Sequence, residues 1–167
     1  RYIEELLVSP IENYTILAGF ITGGIIRGLS VGVVVILAAQ FFVTFTVHNI
    51  FLMLAVILLS STLFSMCGFL NGLFASDWDD INVVPTFIMT PLTYLGGIFF
   101  SISMLPGIWQ DIALINPILY LINALRFSML GISDVSVSFA FFIIIAFNIL
   151  LATLCLYFLS IGKGLRT

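Results

Sequence analysis

The stretch GLSVGVVVILAAQFFVTFTVHNIFLMLAVILLSSTLFSMCGFLNGLFAS, residues 28–76, lies between Arg27 and Asp77 and contains no Asp, Glu, Lys or Arg. Two further charge-free runs follow, at 81–110 and 135–162. An ionised side chain costs several kcal/mol at the centre of a bilayer, where Leu, Ile, Phe and Val are favourable. A hydrocarbon core of ~30 Å needs about 20 apolar residues of helix. The first run therefore holds two spans and each of the others holds at least one. The chain reads as an all-α integral membrane protein.

Composition agrees. Charged residues are 8% of the chain, against about 25% in a soluble domain, and hydrophobic residues are 62%. A net charge of −3 from so few ionisable groups specifies no partner and gives no basis for nucleic-acid binding. Cys67 and Cys155 fall inside apolar runs without CxxC spacing, so they read as packing thiols rather than metal ligands. The chain starts at Arg1 with nothing resembling a signal peptide, and we expect it to be the C-terminal part of a longer protein.

Residues 1–14 carry Glu4, Glu5 and Glu12 and are broken by Pro10. Ile3, Leu6, Leu7 and Ile11 recur at helical spacing, which predicts an amphipathic helix at the interface. A span over 15–45 is longer than the bilayer core, so its first turns should project into water or headgroups, with Arg27 near the cytoplasmic boundary. Within it, Gly24, Gly28 and Gly32 repeat every four residues, a spacing that lets two backbones approach closely. Thr46, Val47, His48 and Asn49 form a turn before a second span, 50–74. Asp77, Asp79 and Asp80 read as capping oxygens for a third, 82–101. There Pro85 sits in the first turn, while Pro91 should kink the helix and leave a carbonyl to Thr90 or Thr93.

The segment 104–131 is apolar enough to be mistaken for a span. Its punctuation argues against that: Pro106 opens one short helix, Asn116 and Pro117 open another, and Gly131 ends it. Two pieces too short to cross make a re-entrant hairpin. Asn116 then serves as a helix cap, and Arg126 as an interfacial cation paired with Asp111. A last span, 137–160, stops before Lys163 and Arg166. With Arg1 and Arg27 these cations place both ends of the chain in the cytoplasm, which requires four spans rather than five.

No catalytic constellation is present, and no GxxxxGK[ST] loop exists to hold ATP. The spans also lack the buried acids on which ion-coupled carriers rely.

Several motifs together carry a resemblance over the whole chain. Glu4 to Ile11 (EELLVSPI), the pairing of Asn116, Pro117 and Tyr120 with Arg126, the stretches Pro85-Thr86-Phe87 and Pro91 to Gly97, and the ending Gly162 to Arg166 resemble the permeases of the second-type ATP-binding-cassette exporter family, and within it the YadH-type inner-membrane permeases. That family has six spans, of which the first two would be missing here. The resemblance implies a bacterial inner-membrane permease. Its coupling helix, with Glu5, Leu6, Leu7, Val8, Ser9 and Pro10, would dock on a separate ATPase subunit. ATP and magnesium would be held by that subunit, with no cofactor on this chain. It further implies two permease chains, forming a homodimer, that enclose an export path through membrane lipid, with the hairpin at the outer mouth. A lipid-linked glycan, a lipid or a hydrophobic drug would suit the apolar spans. A permease-like membrane assembly factor and an ion-coupled secondary carrier are the other function classes considered.

Overall fold

The computed structural model describes residues 11–42, 47–75 and 77–161. Among these the secondary structure is helical throughout, with no strand. Three helices are long and apolar enough to cross a membrane: α1 (Asn13–Gln40), α2 (Ile50–Phe74) and α7 (Val137–Ile161). Between α2 and α7 lie a broken helix and a bent helix pair. The broken helix comprises three consecutive six-residue pieces: α3 (Trp78–Val83), a π-helical turn (Val84–Met89) and α4 (Thr90–Leu95). A short 3-10 turn (Ile102–Met104) leads to the pair α5 (Gly107–Ile115) and α6 (Pro117–Leu130), bent by 87° at Asn116.

Contacts fix the directions of the helices. Along α1 and α2, Phe20 meets Phe69, Gly24 meets Ser65 and Gly28 meets Ser61, so the pair is antiparallel. Along α2 and α7, the Leu59 carbonyl accepts from Asn148 Nδ2 at 3.4 Å, and the Met66 carbonyl lies 3.7 Å from Cys155 Sγ. Numbers on both helices rise together, so α2 and α7 are parallel. The chain between them must therefore return to the end at which α2 began. The broken helix makes that return. Its first piece is tied to Asn71 near the end of α2, its last to Asn116 on the hairpin. At 1.5 Å per residue its three pieces cover about 27 Å. The bent pair follows, and Asn49 N–H and His48 N–H, at the start of α2, bond to the Ser128 and Met129 carbonyls at the end of α6.

Local chemistry sets the breaks. Asn49 caps α2 by accepting from Phe51 N–H and Leu52 N–H, both at 3.1 Å. Asp77 and Asp80 form a reciprocal capping box at the start of α3. The broken helix stops at Leu95, short of the expected end at 101, because Gly96 and Gly97 follow and Gly97 has φ +82°. Helix α1 ends at Gln40, and residues 43–45 of the expected first span lie outside those described.

Pro91 has a different consequence from the one its position predicts. The turn before it, Val84–Met89, is π-helical rather than α-helical. Thr90 N–H reaches back to Pro85 O, and Thr90 Oγ1 donates to the same carbonyl at 3.0 Å. Thr93 Oγ1 donates to Met89 O at 2.7 Å. Neither threonine serves the Phe87 carbonyl that Pro91 frees.

Two apolar clusters hold the bundle. One joins Leu17 of α1, Met66 and Phe69 of α2, and Cys155 and Leu159 of α7. The other places α6 between α2 and α7, through Val56, Leu63, Leu119, Ala124, Ala140 and Ile144. Leu119 and Ile144 are fully buried, so the short helix α6 is as much core as the spans beside it.

Candidate functional site

The hairpin and the loops around it gather the polar chemistry. Asn116 has extended backbone angles (φ −77°, ψ 116°), as the residue before a proline should. Its Oδ1 accepts from Ile118 N–H at 3.0 Å, and Pro117 takes the first helical position, where no N–H is needed. Its Nδ2 turns the other way and donates to the Leu92 carbonyl of α4 at 2.5 Å. Across the bend, Tyr120 OH donates to Leu114 O at 2.6 Å, and its ring meets Phe139 edge-on. One asparagine and one tyrosine thereby fix the 87° angle. Gly131 closes α6 in the left-handed conformation (φ +72°), with its N–H on Phe127 O. The exposed His48 ring packs against Gly131 and Phe127.

Arg126 is the cation of this region, and its partner is Asp134, not Asp111. The Nη1–Oδ2 distance is 3.1 Å, and Nη2 donates to the Gly97 carbonyl. Asp134 also accepts from Ser101 Oγ at 2.7 Å and Ile102 N–H at 3.3 Å, and its own N–H donates to Asn123 Oδ1 at 2.9 Å. Burial pushes the Asp134 carboxyl upward, but the Ser101 and Ile102 hydrogen bonds and the Arg126 charge outweigh it and hold the group below the usual carboxylate value. Asp111 is the wrong partner because it sits on α5, which the bend turns away from α6, whereas the Gly131 turn folds Asp134 back over Arg126. The network joins three pieces of chain: α6, the loop into α7, and the loop after α4. Its donors and acceptors are spent on holding position. Among the described residues no group of three or more His, Cys, Asp or Glu could bind a metal.

The glycine row is divided. A Cβ on Gly24 would strike Ser65, meeting its Oγ and coming within 2.7 Å of its Cβ. One on Gly28 would meet Ser61 Oγ and come within 3.1 Å of its Cβ. A Cβ on Gly32 would meet nothing within 4 Å. On a helix of 3.6 residues per turn a four-residue repeat drifts by about 40° per step, so the third glycine has turned off the contact face. The expected coupling residues Glu5, Leu6, Leu7, Val8, Ser9 and Pro10 lie outside the described residues, as do Arg1, Lys163 and Arg166.

Three positions escape a reading of the sequence. Asn123 is 1% exposed on α6, donates to Leu119 O and receives Asp134 N–H. Asn148, inside α7, bridges to α2 and leaves its Oδ1 buried without a hydrogen-bond partner. Asn71 reaches from α2 to the Ile81 carbonyl at 2.7 Å. Their common signal is an amide in an apolar run, a residue type that joins helices in membranes.

Comparison with known proteins supplies the context. The chain is 44% identical over all 167 residues to the "Inner membrane transport permease YadH" of Escherichia coli strain K12, and equally to the protein of that name from Shigella flexneri. It spans 65% of the length of those relatives. No solved structure matches. Residues 1–130, from the start of the chain to the end of α6, match the ABC-2 type transporter family, and the chain belongs to that family.

Proposed function

We propose that this chain is the membrane-spanning part of a permease subunit in a bacterial inner-membrane ATP-binding-cassette exporter. Two copies pair as a homodimer around an export path for a lipid-linked glycan, a lipid or a hydrophobic drug. A separate ATPase subunit drives it and carries the ATP and magnesium. The observation that carries this reading is membership of the ABC-2 type transporter family over residues 1–130. The two relatives named as inner-membrane transport permeases support it. The helices long enough to cross a membrane are in keeping with it. Both termini face the cytoplasm, and the hairpin faces outward.

In this scheme residues 4–14 dock as an amphipathic helix on the ATPase, with Leu6, Leu7 and Val8 as the buried face and Pro10 shaping the turn. The test is purification of the full-length permease from its own membranes, followed by identification of the ATPase that accompanies it. Leu7→Asp should then abolish transport-stimulated ATP hydrolysis while the permease remains inserted. Undiminished coupling in that variant overturns the docking assignment. A permease that comes out of its membrane with no ATPase overturns the exporter.

A further inference from the structure

The broken helix raises a problem of unpaired carbonyls at both ends of its π turn. Ile81 O would ordinarily accept from the N–H four residues on, but that residue is Pro85 and has none. Asn71 Nδ2, from α2, donates to this carbonyl at 2.7 Å. At the other end Gly96 N–H bonds to Thr93 O rather than to Leu92 O, and Asn116 Nδ2 supplies the Leu92 carbonyl. Between these two points the helix is loosely seated. A cleft of about 260 Å³ separates α2 from the π turn, lined by Cys67, Leu70, Asn71, Phe74, Val84 and Met89. Another of about 250 Å³ lies between α2, α4 and α6. Phe87, in the π turn, is 73% exposed.

We propose that Asn71 is a positioning residue: its amide replaces the donor that Pro85 removes, pins the foot of the broken helix to α2, and leaves the π turn as the joint at which that helix moves. The pattern differs from ordinary helix packing in two respects. The tether is a side chain to a backbone carbonyl, so it holds the helix end without fixing the face that the helix presents. The carbonyl is one that a proline has released, so the tether costs no internal hydrogen bond. As part of a gate this device rests on the permease reading above; as a tether between α2 and the broken helix it does not.

The test uses the full-length protein in lipid nanodiscs, with Cys67, Cys155 and every further native cysteine replaced, and with labelled chains diluted in unlabelled ones so that only distances within one chain are read. Spin labels at Leu58→Cys on α2 and Phe87→Cys on the π turn are read by pulsed electron spin resonance. The pinned helix should give one narrow distance distribution. Asn71→Leu should raise the population at other distances roughly threefold to fivefold, the factor that one hydrogen bond of this kind provides. Adding Pro85→Ala should restore the narrow distribution, because the backbone N–H it introduces reaches Ile81 O and makes the amide redundant. A structural lesion at Asn71 would not be cured by a change at Pro85. An unchanged distribution in Asn71→Leu overturns the proposal, and so does a broad one that Pro85→Ala fails to narrow. Neither measurement needs substrate or ATPase, so both stand whether or not the exporter reading does.

Discussion

Replacing the glycines of α1 one at a time by alanine should give stability changes of different sign along a single row. At Gly24 the new methyl would sit within 2.7 Å of Ser65 Cβ, well inside contact distance, and on Ser65 Oγ. The hydroxyl cannot simply swing away, because it donates to Ser61 O at 2.6 Å. The helices must separate by several tenths of an ångström or more, and overpacking of this kind costs about 1–3 kcal/mol. Against that, alanine gains up to ~1 kcal/mol over glycine in helix propensity. With that gain in full, the net change for Gly24→Ala is a loss of up to about 2 kcal/mol. At Gly28 the nearest carbon is at 3.1 Å, so Gly28→Ala should come out near neutral or mildly destabilising. At Gly32 nothing lies within 4 Å, and Gly32→Ala should stabilise. Thermal unfolding of the purified protein in one detergent measures the order. A second arm tests the contact itself: Ser65→Gly removes the carbon that the new methyl meets, so the double variant Gly24→Ala/Ser65→Gly should be more stable than the sum of the two single changes predicts. Strict additivity, or a Gly32→Ala variant as unstable as Gly24→Ala, refutes the packing argument.

Two further outcomes are expected. Cysteines introduced at His48 and Gln110 should react with an impermeant thiol reagent applied from outside the cell, and one at Asp79 should not; outside labelling at Lys163→Cys would mean that 112–132 crosses the membrane. The Arg126–Asp134 pair should confer stability that disappears in acid. The carboxyl is held below its ordinary value in the folded protein, so its contribution is complete above the unfolded pKa of about 3.9 and is lost as pH falls through the lowered one. Asp134→Asn should cost about 1–2 kcal/mol at neutral pH, the scale of charge-assisted hydrogen bonds, and the gap from wild type should close below pH ~4. A gap that is constant with pH would remove the carboxylate from the explanation.

Punctuation made the hairpin legible in the sequence. Pro106, the Asn116-Pro117 pair and Gly131 mark where backbone donors are missing or a positive φ is needed, and those demands are local. Helix α2 was equally legible, since its ends are set by Asn49 and by the polar cluster after Phe74. What could not be read was anything depending on the path of the chain in space. Asp111 and Asp134 are both within reach of Arg126 by number, and the choice between them is made by the 87° bend and the Gly131 turn. Pro91 announces a defect in its helix, but the π turn that precedes it, over Val84–Met89, is not specified by the proline alone. The glycine row showed a face suited to close approach. How far along it the contact runs depends on the 40° drift per step and on where Ser61 and Ser65 lie. The expected coupling segment, an amphipathic helix by spacing, lies outside the described residues.

The parallel arrangement of α2 and α7 bears on how such a chain is put together during synthesis. The stretch 112–132 leaves the ribosome before α7 and, interrupted only by Arg126, is apolar enough for insertion machinery to treat as a traversing segment. A chain that made this error would reverse α7. Asn148 could then no longer face Leu59 while Cys155 faced Met66, and α6 would lose the cluster in which Leu119 and Ala124 are buried. The arrival of α7 in its own direction is thus the step that rewards the folded-back hairpin, and α7 acts as the check on the orientation of the elements before it.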